Sequence, residues 1–326
     1  MSAAQVQILL ATFQGETWLP ELLGSISAQT CSDWTLLVRD DASSDATRNI
    51  LLDAAARDRR IVVAEDDRLR RGAVGNFSWL LEQAWQAKAD YVLLADQDDT
   101  WHPEKIARQV QALQAAETAA GQAIPQLVYC DAVVVDAVRR PMHASFLRQN
   151  RLPYRSVNPL KTLLGRSFVL GCACAVNRAL IELALPLPDV AASHDWWLAL
   201  CAASAGQITC QDLPLLEYRR HAANASQPAI WNLLRGSRCG WQRRWEIGWK
   251  NFLRSLEQAK ALRHRLQERN VAAGAQFELI DAFCRIVVQP NRWRRLSELH
   301  RLGVPAIDWP RRVLYYWCML RMKERS

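Results

Sequence analysis

The sequence predicts an α/β protein: a Rossmann-like, mostly parallel sheet with helices on both faces, followed by a C-terminal helical extension. Three observations carry that expectation. Apolar runs of strand length recur at residues 6–11, 34–39, 61–64 and 91–96, each ending in polar or charged residues, as strands buried on both faces do. Each run is followed by a loop and an amphipathic stretch, and such strand–loop–helix units give parallel strands with right-handed crossovers. Finally, composition changes near residue 218: residues 1–218 hold 19 Lys+Arg against 25 Asp+Glu, whereas 219–326 hold 22 against 8, so the net +8 charge resides in the tail. The expected division is 1–225 for the α/β domain and 226–326 for the basic extension.

The elements follow in order. After the first run, Thr12-Phe13-Gln14-Gly15-Glu16 forms a turn into a helix with Leu19, Leu22, Leu23 and Ile26 on one face and Pro20 in its first turn. The second run ends in Asp40-Asp41-Ala42-Ser43-Ser44-Asp45, where Ser44 or Asp45 can cap the next helix. The third precedes a basic loop with Arg70, Arg71, Gly72 and Gly75, then a helix over about 76–86. The fourth empties into Asp96-Gln97-Asp98-Asp99-Thr100-Trp101, followed by a helix over about 103–120. Further strands are expected at 127–135, 168–176 and 213–216, with Asn177 capping one helix and His194-Asp195-Trp196-Trp197 opening another. Residues 137–165 read as an irregular, arginine-rich, acceptor-side loop.

Three carboxylates within four residues repel one another, and a divalent cation held by hard oxygens together with a diphosphate relieves that repulsion. Ligands of open α/β sheets bind beyond the carboxyl ends of the strands, where Thr12, Asp40, Asp41, Arg71 and Asp96–Asp99 would meet. That is a nucleotide pocket, with metal at the acidic loop. The alternative for Asp99 or Thr100 is to cap the following helix near Pro103. A dinucleotide site is not expected, because the first turn offers one glycine, Gly15, instead of G-x-G-x-x-G. Asp195 at a helix start is either a stabiliser of the helix dipole or, backed by the apolar Trp pair, a general base. His221 is either a metal ligand or structural, and Arg219 is a candidate phosphate clamp.

Nine cysteines without a C-x-x-C pair argue against structural zinc and for buried thiols in a reducing compartment. The start of the chain has no basic region before its first apolar run, so no signal peptide is expected, and no apolar run approaches the ~18 residues of a bilayer span. The expected location is cytoplasmic, peripheral at the inner face of the plasma membrane. In the tail, Trp241, Trp245, Trp249, Phe252 and Leu256 recur at helical spacing beside arginines, and residues 313–320 form a second apolar stretch. These faces either lie in a headgroup layer or pack on the α/β domain or a second subunit.

Taken together, Thr12-Phe13-Gln14-Gly15-Glu16, Arg39-Asp40-Asp41-Ala42-Ser43-Ser44-Asp45, Asp96-Gln97-Asp98-Asp99-Thr100-Trp101, His194-Asp195-Trp196-Trp197 and Tyr218-Arg219-Arg220-His221 resemble, in order, glycosyltransferase family 2, inverting enzymes of GT-A fold, and within it the bacterial rhamnosyltransferase-like members. The family usually has Tyr-Asn where this chain has Phe13-Gln14. The resemblance implies that Thr12, Phe13, Glu16, Asp40, Asp41, Arg71, Asp96 and Gln97 bind the nucleotide sugar. Asp98 with Asp99 and His221 would hold Mg²⁺ or Mn²⁺, and Asp195 would be the general base. It further implies a nucleotide-sugar donor such as dTDP-L-rhamnose, a saccharide or lipid-linked acceptor, no nucleic acid, membrane contact through the tail and a homo-oligomer among the open partners. Gln242-Arg243-Arg244-Trp245 only superficially matches the signature of processive synthases, so one sugar per encounter is expected. Two rivals stand beside it. Asp96-Gln97-Asp98-Asp99-Thr100 also fits the D-x-D-x-T motif of haloacid-dehalogenase-like phosphohydrolases, and a non-catalytic membrane scaffold could keep the fold.

Overall fold

The computed structural model describes residues 4–65, 69–152, 157–221, 241–305 and 309–321. Its first half is built from β1 (Val6–Thr12), α1 (Leu19–Ser27), β2 (Thr35–Asp40), α2 (Thr47–Arg57), β3 (Ile61–Val63), α3 (Gly72–Gln86) and β4 (Tyr91–Asp96). A two-residue strand β5 (Thr100–Trp101) and α4 (Lys105–Ala120) follow, then β6 (Gln126–Val135), β7 (Pro141–His143), α5 (Phe146–Gln149) and α6 (Pro159–Leu163). The α/β part closes with β8 (Cys174–Asn177), α7 (Arg178–Ala184), α8 (His194–Ala205) and β9 (Gln207–Arg219). The tail supplies α9 (Trp241–Glu268), α10 (Gly274–Val287), α11 (Arg292–Leu302) and α12 (Trp309–Arg321).

One sheet runs β3-β2-β1-β4-β8-β6-β9-β5, with β7 on β6. Strands β3, β2, β1 and β4 are parallel, and their register sets Thr12 opposite Asp40 and Ala11 opposite Asp96. Three predicted site residues therefore end at one edge because their strands start level. Beyond β4, β8 runs antiparallel between β4 and β6, while β9 lies parallel to β6. Pairing of Thr100 with Glu217 joins β5 to the far end of β9 and draws residues 219–221 onto the acidic loop.

Two apolar layers cover the sheet. One face packs Leu19, Leu22, Ile26, Leu51, Ile106 and Leu113 of α1, α2 and α4. The other packs Phe77, Leu80 and Trp197 of α3 and α8 together with Leu256, Leu262 and Phe283 from the tail. The indole N–H groups of Trp196 and Trp197 donate to the carbonyls of Leu163 and Ala184, both at 2.9 Å, so the buried pair carries no unsatisfied donor. On α9, Phe252, Leu256, Ala259, Leu262 and Leu266 form one buried helical stripe. Phe252 meets Tyr315 of α12 edge-on at 4.8 Å, and buried Arg265 donates to the carbonyls of Leu183, Ala184 and Pro186 at the end of α7. The apolar faces expected to choose between lipid and protein are turned inward at these positions. The side chains of Trp241 and Trp245 lie outside the described residues, as does the helix expected over 226–240.

Other expectations change. The run 168–176 is not one strand: Gly171–Ala173 is a 3-10 turn, and only Cys174–Asn177 pairs in the sheet. Neither Asp99 nor Thr100 caps a helix, since Thr100 is in β5 and α4 begins at Lys105 without a side-chain cap. Residues 137–165 contain β7, α5 and α6, fixed in part by Asp131, which accepts the Ser145 hydroxyl and the Leu147 N–H. Arg155 lies outside the described residues. Among the described residues no helix is long and apolar enough to cross a membrane.

Candidate active site

The first turn is locked before any ligand arrives. Thr12 Oγ1 donates to Asp40 at 3.0 Å, and Asp40 also accepts the Ser43 N–H. Gly15 N–H donates to Thr47 Oγ1 at 2.7 Å, and Glu16 accepts the Ala46 N–H at 2.8 Å, so Glu16 serves the start of α2. Asp41 is buried and accepts three donors, Arg39 Nη1 and the backbone N–H groups of Arg71 and Gly72, at 2.7–2.9 Å. It thus fixes the basic loop at the head of α3. Arg70 lies over the Phe13 ring at 4.1 Å, giving this edge a flat, cationic surface. Gln97 reaches back to the same turn, accepting the Phe13 N–H at 2.8 Å and donating to its carbonyl at 2.9 Å. A side chain at Gly15 would collide with that amide, which explains the glycine.

Asp96 ends β4 in a crowded acidic setting. Burial, then the charges of Asp98 and Asp195, push its carboxyl up to about 7. Asp98 Oδ2 lies 2.7 Å from His221 Nε2, a contact across 123 positions of sequence. Asp99 behaves differently. It is fully buried, Oδ1 accepts the Arg219 N–H at 3.1 Å, and Oδ2 has no hydrogen-bond partner among the described residues. Burial and the neighbouring Asp98 and Asp96 hold its carboxyl well above the usual range. Cys172 from the 3-10 turn completes a cluster in which one atom each of Asp96, Asp99 and Cys172 lies within 4.8 Å of the others.

Arg219 does not act as a phosphate clamp here. Its guanidinium is buried and donates to the carbonyls of Asp98 and Ala137, both at 2.8 Å, and to Glu21 at 2.6 Å. Its work is to hold the acidic loop in place. Trp18, at the N-cap of α1, stacks on His221 with ring centres 3.8 Å apart.

Asp195 occupies the first turn of α8, where its Oδ1 accepts the Trp196 N–H at 2.8 Å. The helix start is pinned by His194, which is stacked on Phe77 at 3.7 Å and kept neutral by burial, its pKa lowered. Gly171 makes room for this: a Cβ there would stand 2.9 Å from His194 Nε2 and 3.4 Å from the Asp195 Cβ. The 3-10 turn thus bridges Asp195 and the Asp96–Asp99 cluster.

The donor set can be tested against the implied cation. Asp98 and His221 converge from just beyond the ends of β4 and β9 and offer one carboxylate oxygen and one imidazole nitrogen, which suit Mn²⁺ or Mg²⁺ completed by phosphate and water oxygens. The Asp96–Asp99–Cys172 group is buried and includes a thiol, burial raising the Cys172 pKa well above normal; a protonated soft donor suits a hard cation poorly. The residues fit a divalent metal at Asp98 and His221, with the buried Asp99 carboxyl, its neutral form favoured by burial, beneath. Gly171, Cys172 and Trp18 were not legible as site residues. Gly171 alone left a signal, being a glycine inside an apolar run.

Residues 7–183 match the model of glycosyl transferase family 2. The chain is 32% identical over 105 residues to dTDP-rhamnosyl transferase RfbG of Shigella flexneri, covering 32% of this chain and 36% of RfbG, about a third of that relative's length. It is 30% identical over 108 residues to the Escherichia coli UDP-Glc:alpha-D-GlcNAc-diphosphoundecaprenol beta-1,3-glucosyltransferase WfgD, covering 33% of this chain and 40% of WfgD. Among solved structures, S. aureus TarS 1–349 in complex with UDP-GlcNAc aligns with a TM-score of 0.54 at 13% identity, over 97% of this chain and 89% of TarS 1–349. The mannosyltransferase PcManGT from Pyrobaculum calidifontis, in complex with GDP-Man and Mn²⁺, aligns with a TM-score of 0.51 at 16% identity, over 95% and 78%. With the family model spanning more than half of the chain and solved structures aligning over 95–97% of it, the protein belongs to glycosyltransferase family 2 and has the GT-A fold.

Proposed function

We propose that the protein is an inverting, metal-dependent transferase that moves a sugar from a nucleoside diphosphate donor to a saccharide or lipid-linked acceptor. The single observation that carries this reading is that one 3-10 turn joins the two halves: a Cβ on Gly171 would stand 3.4 Å from the Asp195 Cβ, while the adjacent Cys172 lies within 4.8 Å of Asp96 and Asp99, so the acidic loop and the carboxylate at the helix start are neighbours. Thr12, Phe13, Asp40, Asp41 and Arg71 line the nucleotide edge, with Glu16 and Gln97 shaping its turn, and Asp96 meets the ribose. Asp98 and His221 would hold a divalent cation above the buried Asp99 carboxyl, and that cation would supply positive charge to the departing diphosphate. Asp195, backed by the Trp196–Trp197 wall, takes the proton from the acceptor hydroxyl as that oxygen bonds to the anomeric carbon and the diphosphate oxygen leaves. One displacement inverts the centre.

Rhamnose from dTDP-L-rhamnose is the donor we favour, supported by the likeness to RfbG. For the acceptor we favour a membrane-borne glycan. The tail leaves Trp293 (64% exposed) and Trp309 (76%) at the surface of a strongly basic segment, which suits an anionic bilayer. Flotation with phosphatidylglycerol vesicles tests that contact, and protein left unbound at low salt rejects it. The family match leaves the dehalogenase-like hydrolase and the scaffold without support.

The decisive experiment is Asp195→Asn. Donor binding in Mn²⁺, read by calorimetry, is expected to persist, while transfer falls by about 10²–10⁴-fold, the usual contribution of a positioned base. Turnover near that of the wild type would reject the role.

A further inference from the structure

We infer that Trp18 is a positioning residue for the metal side of the site, holding the His221 imidazole against Asp98. The inference rests on the proposed cation at Asp98 and His221, and adds a residue from the opposite end of the domain. His221 lies two residues beyond the end of β9, where strand pairing no longer fixes the side chain. Contacts that orient the ring include the Asp98 carboxylate at 2.7 Å and the Trp18 indole, 3.8 Å between centres and inclined by 31°.

Trp18 is itself well anchored. Its N–H and that of Leu19 donate to the Gly15 carbonyl at 3.3 and 3.1 Å, and Gly15 is tied to Thr47. The Arg219 guanidinium, which grips the Asp98 carbonyl, lies 5.9 Å from the indole centre. The indole therefore spans the turn at the nucleotide edge and the two metal-side groups. Hydrogen-bonding partners that fix the orientation of a ligating histidine typically matter about 10–100-fold in metal affinity, and the indole constrains the same ring by packing, for which the low end of that range is expected.

The test uses the full chain and Mn²⁺ as the probe, with free Mn²⁺ counted by electron paramagnetic resonance in the presence and absence of dTDP. Trp18→Leu is expected to weaken Mn²⁺ binding about tenfold, and Trp18→Phe, which keeps a stacking ring, to stay within about threefold of the wild type. His221→Ala should weaken binding at least as much as Trp18→Leu. Adding Trp18→Leu to His221→Ala should then cost nothing further, because both act through one imidazole. Full additivity, or unchanged affinity in a folded Trp18→Leu protein, overturns the inference while leaving the metal site intact. A wild-type protein that binds no Mn²⁺ overturns both.

Discussion

Gly171→Ala probes how the fold sets the place of Asp195. The new methyl would stand 2.9 Å from His194 Nε2, where an ordinary contact begins near 3.4 Å, so roughly half an ångström must be found. His194 cannot retreat, because Phe77 is stacked on it at 3.7 Å. The strain is passed to the first turn of α8, which carries Asp195, and overpacking of this kind costs about 1–3 kcal/mol. A 1 Å misplacement costs about 10²-fold in rate, so a shift of half that size should lower kcat by about tenfold or somewhat more. Thr12 and Asp40 sit at the ends of β1 and β2, elements separate from the 3-10 turn, and the clash falls on His194 rather than on Asp96, so dTDP affinity in Mn²⁺ should stay within about twofold. The assay is release of nucleoside diphosphate from the donor that the wild type turns over, beside calorimetric titration with dTDP. Introducing the same alanine into a His194→Ala background should cost less, since the clash is gone. Undiminished kcat with an unchanged thermal midpoint would refute the reasoning; equal loss of dTDP affinity would place the damage elsewhere.

Two further expectations concern stability. His194 is buried with its pKa held below 6.5, so below that value the unfolded chain takes up a proton that the folded protein resists. Stability should therefore fall as pH drops below about 6.5, and His194→Asn should lessen that fall; an identical pH dependence of the thermal midpoint in the variant contradicts it. In the tail, Phe252→Ala empties a buried site against Tyr315 and should cost about 3–5 kcal/mol without any lipid present. A midpoint unmoved in lipid-free buffer would mean that α9 is not docked as described.

The parallel half of the sheet was readable because its cause is local. The runs before Asp40 and Asp96 are apolar on both faces, and that pattern exists in the chain before any contact forms. The same holds for the acidic loop, whose three carboxylates are neighbours in sequence. The broken strand at residues 168–176 was not readable, because apolar character does not distinguish a 3-10 turn from an extended run. Arg219 was misjudged for a related reason: an arginine near an acidic loop is equally suited to phosphate or to carbonyls, and burial against Asp98, Ala137 and Glu21 made the choice.

By itself, the sequence determined the repeated strand–loop–helix order, the edge at which Thr12, Asp40 and Asp96 emerge, and the family signature of the acidic loop. Only the tertiary structure decided that Asp99 is buried while Asp98 is partly exposed, that His221 meets Asp98 from 123 positions away, and that Phe252 and Leu256 of the tail join the core. The reason is physical. Periodicity and turn chemistry act over a few residues, whereas the partner of a charged or aromatic side chain is chosen by segments that meet only after the chain has closed around them.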